Sequence, residues 1–249
     1  MRVAAATAAA ETDAAAAAAV SIEDLRFRFS NDSHSFALEI SSLKIEIGER
    51  VALVGPSGSG KSTLLGLICG ILTPSNGSIN VFGQQLEKMS GRQRDKFRAD
   101  TLGVIFQQLN LLPYLSVLDN VILALEFSHQ RHLTASQKQE KARYLLDRLG
   151  LGRTELAMQK AAQLSVGQQQ RVAAARAFVG APPLIIADEP TSALDEDRQS
   201  EFVDLLFSQQ QHNQATLLMV THNTRLAARF DRVLELADLC NLDITEGGR

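Results

Sequence analysis

Apolar and polar residues alternate over Leu25-Arg26-Phe27-Arg28-Phe29, Phe36-Ala37-Leu38-Glu39-Ile40 and Leu43-Lys44-Ile45-Glu46-Ile47. A period of two predicts half-exposed strands, so several antiparallel strands are expected ahead of the turn at Gly48-Glu49. The pattern then changes. Val51-Ala52-Leu53-Val54, Leu102-Gly103-Val104-Ile105-Phe106, Leu184-Ile185-Ile186-Ala187 and Leu217-Leu218-Met219-Val220 are short unbroken apolar runs. Such runs suit strands buried on both faces. A short strand is expected at Ser78–Phe82, after the turn cluster Thr73–Gly77, and another near Val233–Leu236. Three- and four-residue spacing predicts helix from Ser116 to about Gly150, and helices are also expected at the charged Ser90–Ala99, at Gln168–Val179, at Glu196–Gln209 and from near Asn223. Buried strands alternating with helices predict an α/β fold with a mainly parallel sheet. An N-terminal antiparallel β subdomain and a helical subdomain inserted at about 110–165 complete the expected layout.

Composition narrows the setting. With 249 residues, 45% of them apolar, the chain can bury a sizeable core. Formal net charge is −3, from 25 basic and 28 acidic residues without blocks of one sign. This carries no electrostatic footprint for nucleic acid, and none is expected as a partner. Cys69 and Cys240 are far apart and match no metal spacing, and Cys69 reads as a small core residue. Residues 1–20 are mostly alanine, without the basic and leucine-rich regions of a signal peptide. They are expected to be a loose tail, the folded domain spanning 21–240 and a short tail following at 241–249. No run approaches the ~20 apolar residues of a membrane-spanning helix. The chain is therefore expected to be cytoplasmic and to reach a membrane only through a partner.

Directly after the apolar run 51–54 comes Gly55-Pro56-Ser57-Gly58-Ser59-Gly60-Lys61-Ser62-Thr63. It fills every fixed position of the phosphate-cradling pattern G-x-x-x-x-G-K-[ST], the mark of a P-loop NTPase core. The glycines allow backbone N–H groups to approach phosphate oxygens, and the following helix presents its positive end to the anion. Lys61 can reach the β- and γ-phosphates, and the Ser62 hydroxyl can ligate Mg²⁺. The plain alternative, a Gly/Ser-rich turn between strand and helix, would fill these positions by chance in roughly one chain in a hundred of this length. Leu184–Ala187 ends in Asp188-Glu189. At the C-terminal edge of a parallel sheet Asp188 would contact Mg²⁺, and Glu189 would polarise an attacking water. Two solvated acids capping a helix are the bland counterpart.

Leu164-Ser165-Val166-Gly167-Gln168, followed by Gln169-Gln170-Arg171-Val172-Ala173-Ala174-Ala175-Arg176-Ala177, resembles the LSGGQ signature of the nucleotide-binding subunits of ABC transporters. The resemblance runs from about Ile22 to Leu236. It implies an ATPase using ATP and Mg²⁺, in a head-to-tail homodimer or with a paired ATPase subunit. Ser165, Gly167 and Gln168 of one copy would then face the γ-phosphate held by the other. It implies separate membrane permease subunits, gripped by the helical insertion and the Gln107 loop on the cytoplasmic face of the membrane. Gln107 matches a Mg²⁺-ligating glutamine, Pro190–Asp195 a loop that crosses the dimer interface, and His222 the switch histidine that orients Glu189 and the water. Phe29 matches the adenine-stacking aromatic, with Phe27 as its competitor on the same strand face.

The chain departs from the family pattern at three places. Val166 replaces a glycine of the signature, Asn223 stands where aspartate often follows the switch histidine, and Phe29 stands where tyrosine is common. None of these removes a catalytic group, so hydrolysis is expected. Gln107–Pro113 with Ser116–Val121 resembles the lipoprotein-releasing and macrolide-export branch, though amino-acid and polyamine importers share much of that text. Two other classes compete. A non-transport ABC-type ATPase of DNA repair or the ribosome typically has a long coiled-coil insertion or two cassettes, absent here. A small-molecule kinase would have no use for Leu164–Gln168.

Overall fold

The computed structural model describes residues 18–29 and 37–240. Most of the alanine-rich segment, residues 1–17, and the expected tail at 241–249 lie outside the described residues. Strand β1 (Ala18–Arg28) pairs antiparallel with β2 (Ala37–Glu46) and with β4 (Asn76–Val81), which in turn pairs with β5 (Gln84–Gln85). The resulting order is β2-β1-β4-β5. The second sheet is parallel, in the order β6-β7-β8-β3-β9, from Leu102–Ile105, Leu184–Asp188, Thr216–Val220, Arg50–Val54 and Arg232–Glu235.

Both faces of the parallel sheet are covered, and alternate residues of each strand go to opposite cores. Val51, Leu53, Leu184, Ile186, Leu218 and Val220 pack with the antiparallel sheet and with helix α1 (Lys61–Ile68). Ala52, Ile185, Ala187, Leu217 and Met219 pack on the other side, where most of the remaining helices lie. Those helices are α3 (Val117–Phe127), α4 (Ala135–Arg148), α5 (Thr154–Met158), α6 (Val166–Phe178), α7 (Glu196–Asn213) and α8 (Thr224–Ala227). Helix α2 (Gly91–Thr101) leads into β6, and α9 (Leu236–Leu239) follows β9.

The alternation in β1 and β2 hides a phase reversal. Val20, Ile22, Leu25 and Phe27 are all buried, so the inward face switches between residues 22 and 25. Their partners Leu43 and Ile40 switch with them, in one unbroken register. Asp24 sits at the switch with a φ of 47°, and the pairing of β1 with β4 shifts there as well. This is a β-bulge. Gly77 faces it, since a Cβ at that position would lie 2.3 Å from the Asp24 carbonyl oxygen.

Four boundaries differ from the sequence reading. Ala18, Ala19 and Val20 are not tail. They begin β1 and are buried, and the Ala19 carbonyl accepts from Phe82 N at 3.0 Å. The two strands expected at 36–40 and 43–47 are one strand, because the apparent break at Ser41-Ser42 lies opposite the bulge. The helical run expected from Ser116 to Gly150 breaks at Ser128, whose hydroxyl accepts from Gln130 N and opens a 3₁₀ turn. Leu236, expected in the last strand, starts α9 instead.

Candidate active site

Parallel register decides which loops meet. Leu53 pairs with Val220, Val220 with Asp188, and Ala187 with Ile105, so β3, β8, β7 and β6 end at one edge. The loops leaving that edge carry Gly55–Gly60, His222, Glu189 and Gln107. Ligand sites of open parallel sheets form at such an edge.

In the first loop Gly55, Gly58 and Gly60 have φ of 151°, 78° and 107°. A side chain is strained in these conformations, which is why the pattern needs glycine there. Gly60 ends the loop as the N-cap of α1 without any side-chain cap, and the first turn of α1 holds no acid. Its N–H groups and positive dipole end are thus aimed at the loop's interior. Lys61 is buried and lies across the loop, its Nζ donating to the Gly55 and Pro56 carbonyls at 2.8 Å each.

Two strands away, Asp188 accepts a hydrogen bond from the Ser62 hydroxyl. Burial pushes its carboxyl above the ordinary value and the Glu189 charge adds to this, while the Ser62 bond and Lys61 pull the other way. Glu189 has a φ of 44°, a conformation that costs a non-glycine residue on the order of 1–3 kcal/mol. Its N–H donates to the Val220 carbonyl at 3.1 Å. Its carboxylate accepts from Gln107 Nε2 at 3.4 Å and lies 3.8 Å from His222 Nδ1. One carboxylate is therefore held between the loops after β6 and β8.

Phe29 follows β1 in a bend and lines the same cleft as Ser57, Gly58, Lys61 and Glu189. Phe27 does not reach it, being buried in the core with its ring 4.9 Å from that of Phe29, edge to face. Ser165, Gly167 and Gln168 stand elsewhere. Ser165 caps α6, its Oγ accepting from Gln168 N at 3.4 Å while Gln168 Oε1 accepts from Ser165 N at 3.0 Å. With Leu194 and Arg198 they line a second cleft. Val166 begins α6 half-exposed.

Some residues have supporting roles that no motif announced. Arg176 on α6 donates to the Leu109 and Asn110 carbonyls at 2.6 and 2.7 Å, tying α6 to the chain just after Gln107. Buried Asn120 receives Leu112 N at 2.8 Å and donates to the Leu112 and Ser116 carbonyls. Gln170 and Gln199 hold the loop after Glu189. Only burial marks these amides, because polar residues on a helix read as solvated until a neighbouring loop is seen to cover them.

The family model for ABC transporters matches residues 38–192. The chain belongs to that family. This ABC chain is 44% identical over 196 residues to the uncharacterized ABC transporter ATP-binding protein YbbA of Escherichia coli, covering 79% of this chain and 84% of YbbA. It is 42% identical over 202 residues to the lipoprotein-releasing system ATP-binding protein LolD of Pseudomonas fluorescens, covering 80% and 86%. The macrolide export ATP-binding/permease protein MacB of Hyphomonas neptunium is 42% identical over 213 residues, 86% of this chain and 32% of MacB. Among solved structures, the dimeric bacterial ABC transporter cassette MJ0796 superposes with a TM-score of 0.79 at 33% identity, covering 87% of this chain and 93% of that one. A post-hydrolysis structure of the same cassette, bound to ADP and Pi, gives a TM-score of 0.76 at 32% identity and the same coverage. The ABC chain is thus an ATP-binding subunit and an ATPase, related to the lipoprotein-releasing and macrolide-export proteins. Among the described residues no helix is long and apolar enough to cross a membrane.

Proposed function

We propose that this subunit closes on ATP as a head-to-tail homodimer and hydrolyses it to drive separate membrane permease subunits. The observation that carries this reading is the convergence of Lys61, Ser62, Asp188, Gln107, Glu189 and His222 at one sheet edge. The residues from Gly55 to Thr63 would wrap the phosphates, and buried Ser59 Oγ, which has no hydrogen-bond partner among the described residues, suits a phosphate oxygen. Phe29 would stack on the adenine. Ser62, Asp188 and Gln107 offer a hydroxyl, a carboxylate and a carboxamide oxygen, the hard oxygen set that suits Mg²⁺. When bound there with ATP, it would supply positive charge to offset that of the phosphates. Lys61 balances further negative charge from the loop side. Glu189 holds an attacking water and draws its proton, while Gln107 and His222 fix the carboxylate's orientation.

Because Ser165, Gly167 and Gln168 line a different cleft from Lys61, a second copy would supply them. For the permease, a groove of about 810 Å³ between α2 and the turn after α3 is the candidate socket, with Arg92, Lys96 and Arg131 on its walls. Phe127 stands in it 71% exposed, an apolar anchor for a cytoplasmic segment of the membrane subunit. Phe127→Glu should leave the isolated subunit's ATPase rate unchanged and prevent its co-purification with the permease. Unimpaired co-purification would show that this groove is not the socket.

Glu189→Gln tests the chemical core of the reading. It keeps the side chain's shape and hydrogen bonding, so ATP should still bind and trap the dimer while turnover falls by at least about 10²-fold. Turnover at the wild-type rate would show that Glu189 does not handle the water.

A further inference from the structure

The loop that leaves Glu189 is gripped by side-chain amides. Gln170 Nε2, on α6, donates to the Pro190 carbonyl at 2.9 Å. Gln199 Nε2, on α7, donates to the Thr191 and Leu194 carbonyls at 3.2 and 3.0 Å. Gln199 is almost fully buried, and its Oε1 accepts from Asn223 Nδ2 at 2.9 Å. Asn223 adjoins His222, and its Oδ1 accepts from Arg225 N and Leu226 N at 3.0 and 3.3 Å, capping α8.

Backbone groups dictate the direction of every bond in this chain. The α8 N–H groups need an acceptor, so Asn223 must turn its oxygen to them and its NH₂ to Gln199. The Thr191 and Leu194 carbonyls need a donor, so Gln199 must turn its NH₂ to them and its oxygen to Asn223. Two amides in this order satisfy both ends. An aspartate at 223 would still cap α8, but it would set a charged acceptor against Gln199 Oε1. Turning the Gln199 amide to relieve that contact would place its oxygen on two carbonyls.

We infer that Gln199 and Asn223 are a matched pair of positioning residues that couples the His222 loop to the loop running from Glu189 to Asp195. The inference rests on the roles given above to Glu189 and His222. Neither amide reaches the reacting groups. Ser192 N donates to the Glu189 carbonyl at 3.2 Å, so a shift of the gripped loop turns Glu189 at its root. Through the pair, the same shift is delivered to His222, and the carboxylate and imidazole move as one. A second link crosses the same gap, Arg225 to Glu196 at 3.0 Å, but it is exposed at both ends and contributes little.

A charge-swap rescue tests the pair. Asn223→Asp should lower kcat about fivefold to tenfold, as expected for one buried donor lost to a repulsive contact, and leave KM for ATP within about twofold. Gln199→Lys alone should also lower kcat, because an ammonium cannot accept from Asn223. In the double variant Gln199→Lys/Asn223→Asp, the ammonium at 199 can donate to both carbonyls and to the carboxylate at 223. Its kcat should return to within about twofold of wild type. Gln199→Glu attacks the same joint from the other side, keeping the bond from Asn223 while repelling both carbonyls, and should lower kcat with the melting temperature reporting the fold. An unchanged kcat in Asn223→Asp, losses that multiply in the double variant, or an effect confined to KM would each overturn the proposal. Adding Glu189→Gln to these backgrounds silences turnover if the reading of Glu189 is right, so failure of the pair and failure of that reading give separate results.

Discussion

Phe27 and Phe29 lie two positions apart on one strand pattern and meet opposite fates. Strand alternation alone puts both rings on one face, yet β1 ends at Arg28 and the chain bends. Phe27 stays in the core at 6% exposure, and Phe29 swings out to 63% beside the P-loop. A strand's end depends on its neighbours, which explains why the residue pattern left the choice open. The two rings should separate cleanly in mutants. Phe29→Ala should weaken ATP binding roughly tenfold, for about 1–2 kcal/mol of lost base stacking, at an unchanged melting temperature. Phe27→Ala should cost about 3–5 kcal/mol of stability through the cavity it leaves. Nucleotide titration and thermal melting of both variants check the assignment, and the reverse pattern would make Phe27 the stacking ring. By contrast Lys61, Ser62, Asp188 and Glu189 were legible beforehand, because each is locked to its neighbours by a short motif. The amides Asn120, Gln170 and Gln199 were not, since what makes them work is a loop from elsewhere in the chain.

At the scale of elements, the buried parallel strands were legible because runs of apolar residues have one reading in an α/β chain. The antiparallel sheet was harder, as a bulge at Asp24 reverses the inward face and imitates a turn in β2. The edge strand β9 has a short ladder to β3 and polar anchors at its start, Arg232 to Glu49 and Asp231 to Arg50. Asp231 accepts from Arg50 N at 2.9 Å and from the Arg50 guanidinium, which also stacks at 4.7 Å over Phe207. The bond to Arg50 holds the Asp231 carboxyl below 3.8 and raises Arg50 in return. A depressed carboxylate lends stability that is present above its ordinary value and lost as pH falls through the folded one. Both side chains are a third or more exposed, so screening limits the gain to about 1 kcal/mol or less. Asp231→Asn should therefore be less stable than wild type by up to that amount at neutral pH. The two stabilities should converge once pH drops well below 3.8, as measured by urea unfolding across pH. A constant gap down to low pH would show that the pair's charge contributes nothing.

For the whole molecule, the decisive feature is that the two groups of candidate site residues line two separate clefts. The P-loop cleft contains Lys61, Ser62 and Glu189, whereas the second contains Ser165, Gly167 and Gln168. Gly167 permits a clean test, because a Cβ there would meet nothing nearer than Leu194 Cδ2 at 4.0 Å. Gly167→Val should fold and melt like wild type, and its added methyls would obstruct only a molecule approaching from outside. Lys61→Ala should fold as well, since among the described residues the ammonium it removes is bonded to loop carbonyls of Gly55 and Pro56. Each variant alone should be inactive. Mixed in equal amounts, they form mixed dimers in half of the random pairings, and each mixed dimer joins one intact P-loop to one intact signature loop. About one quarter of the wild-type sites should then reappear, the fraction set by two-fold pairing. Steady-state ATPase rates of the separate and mixed proteins at matched total concentration measure it. Activity in Gly167→Val alone would mean that the signature loop is not needed for hydrolysis. Recovery in the mixture requires the second copy's α6 end to complete the first copy's phosphate site, which is what uncapped N–H groups at Gly60 and a separate Ser165 cleft call for.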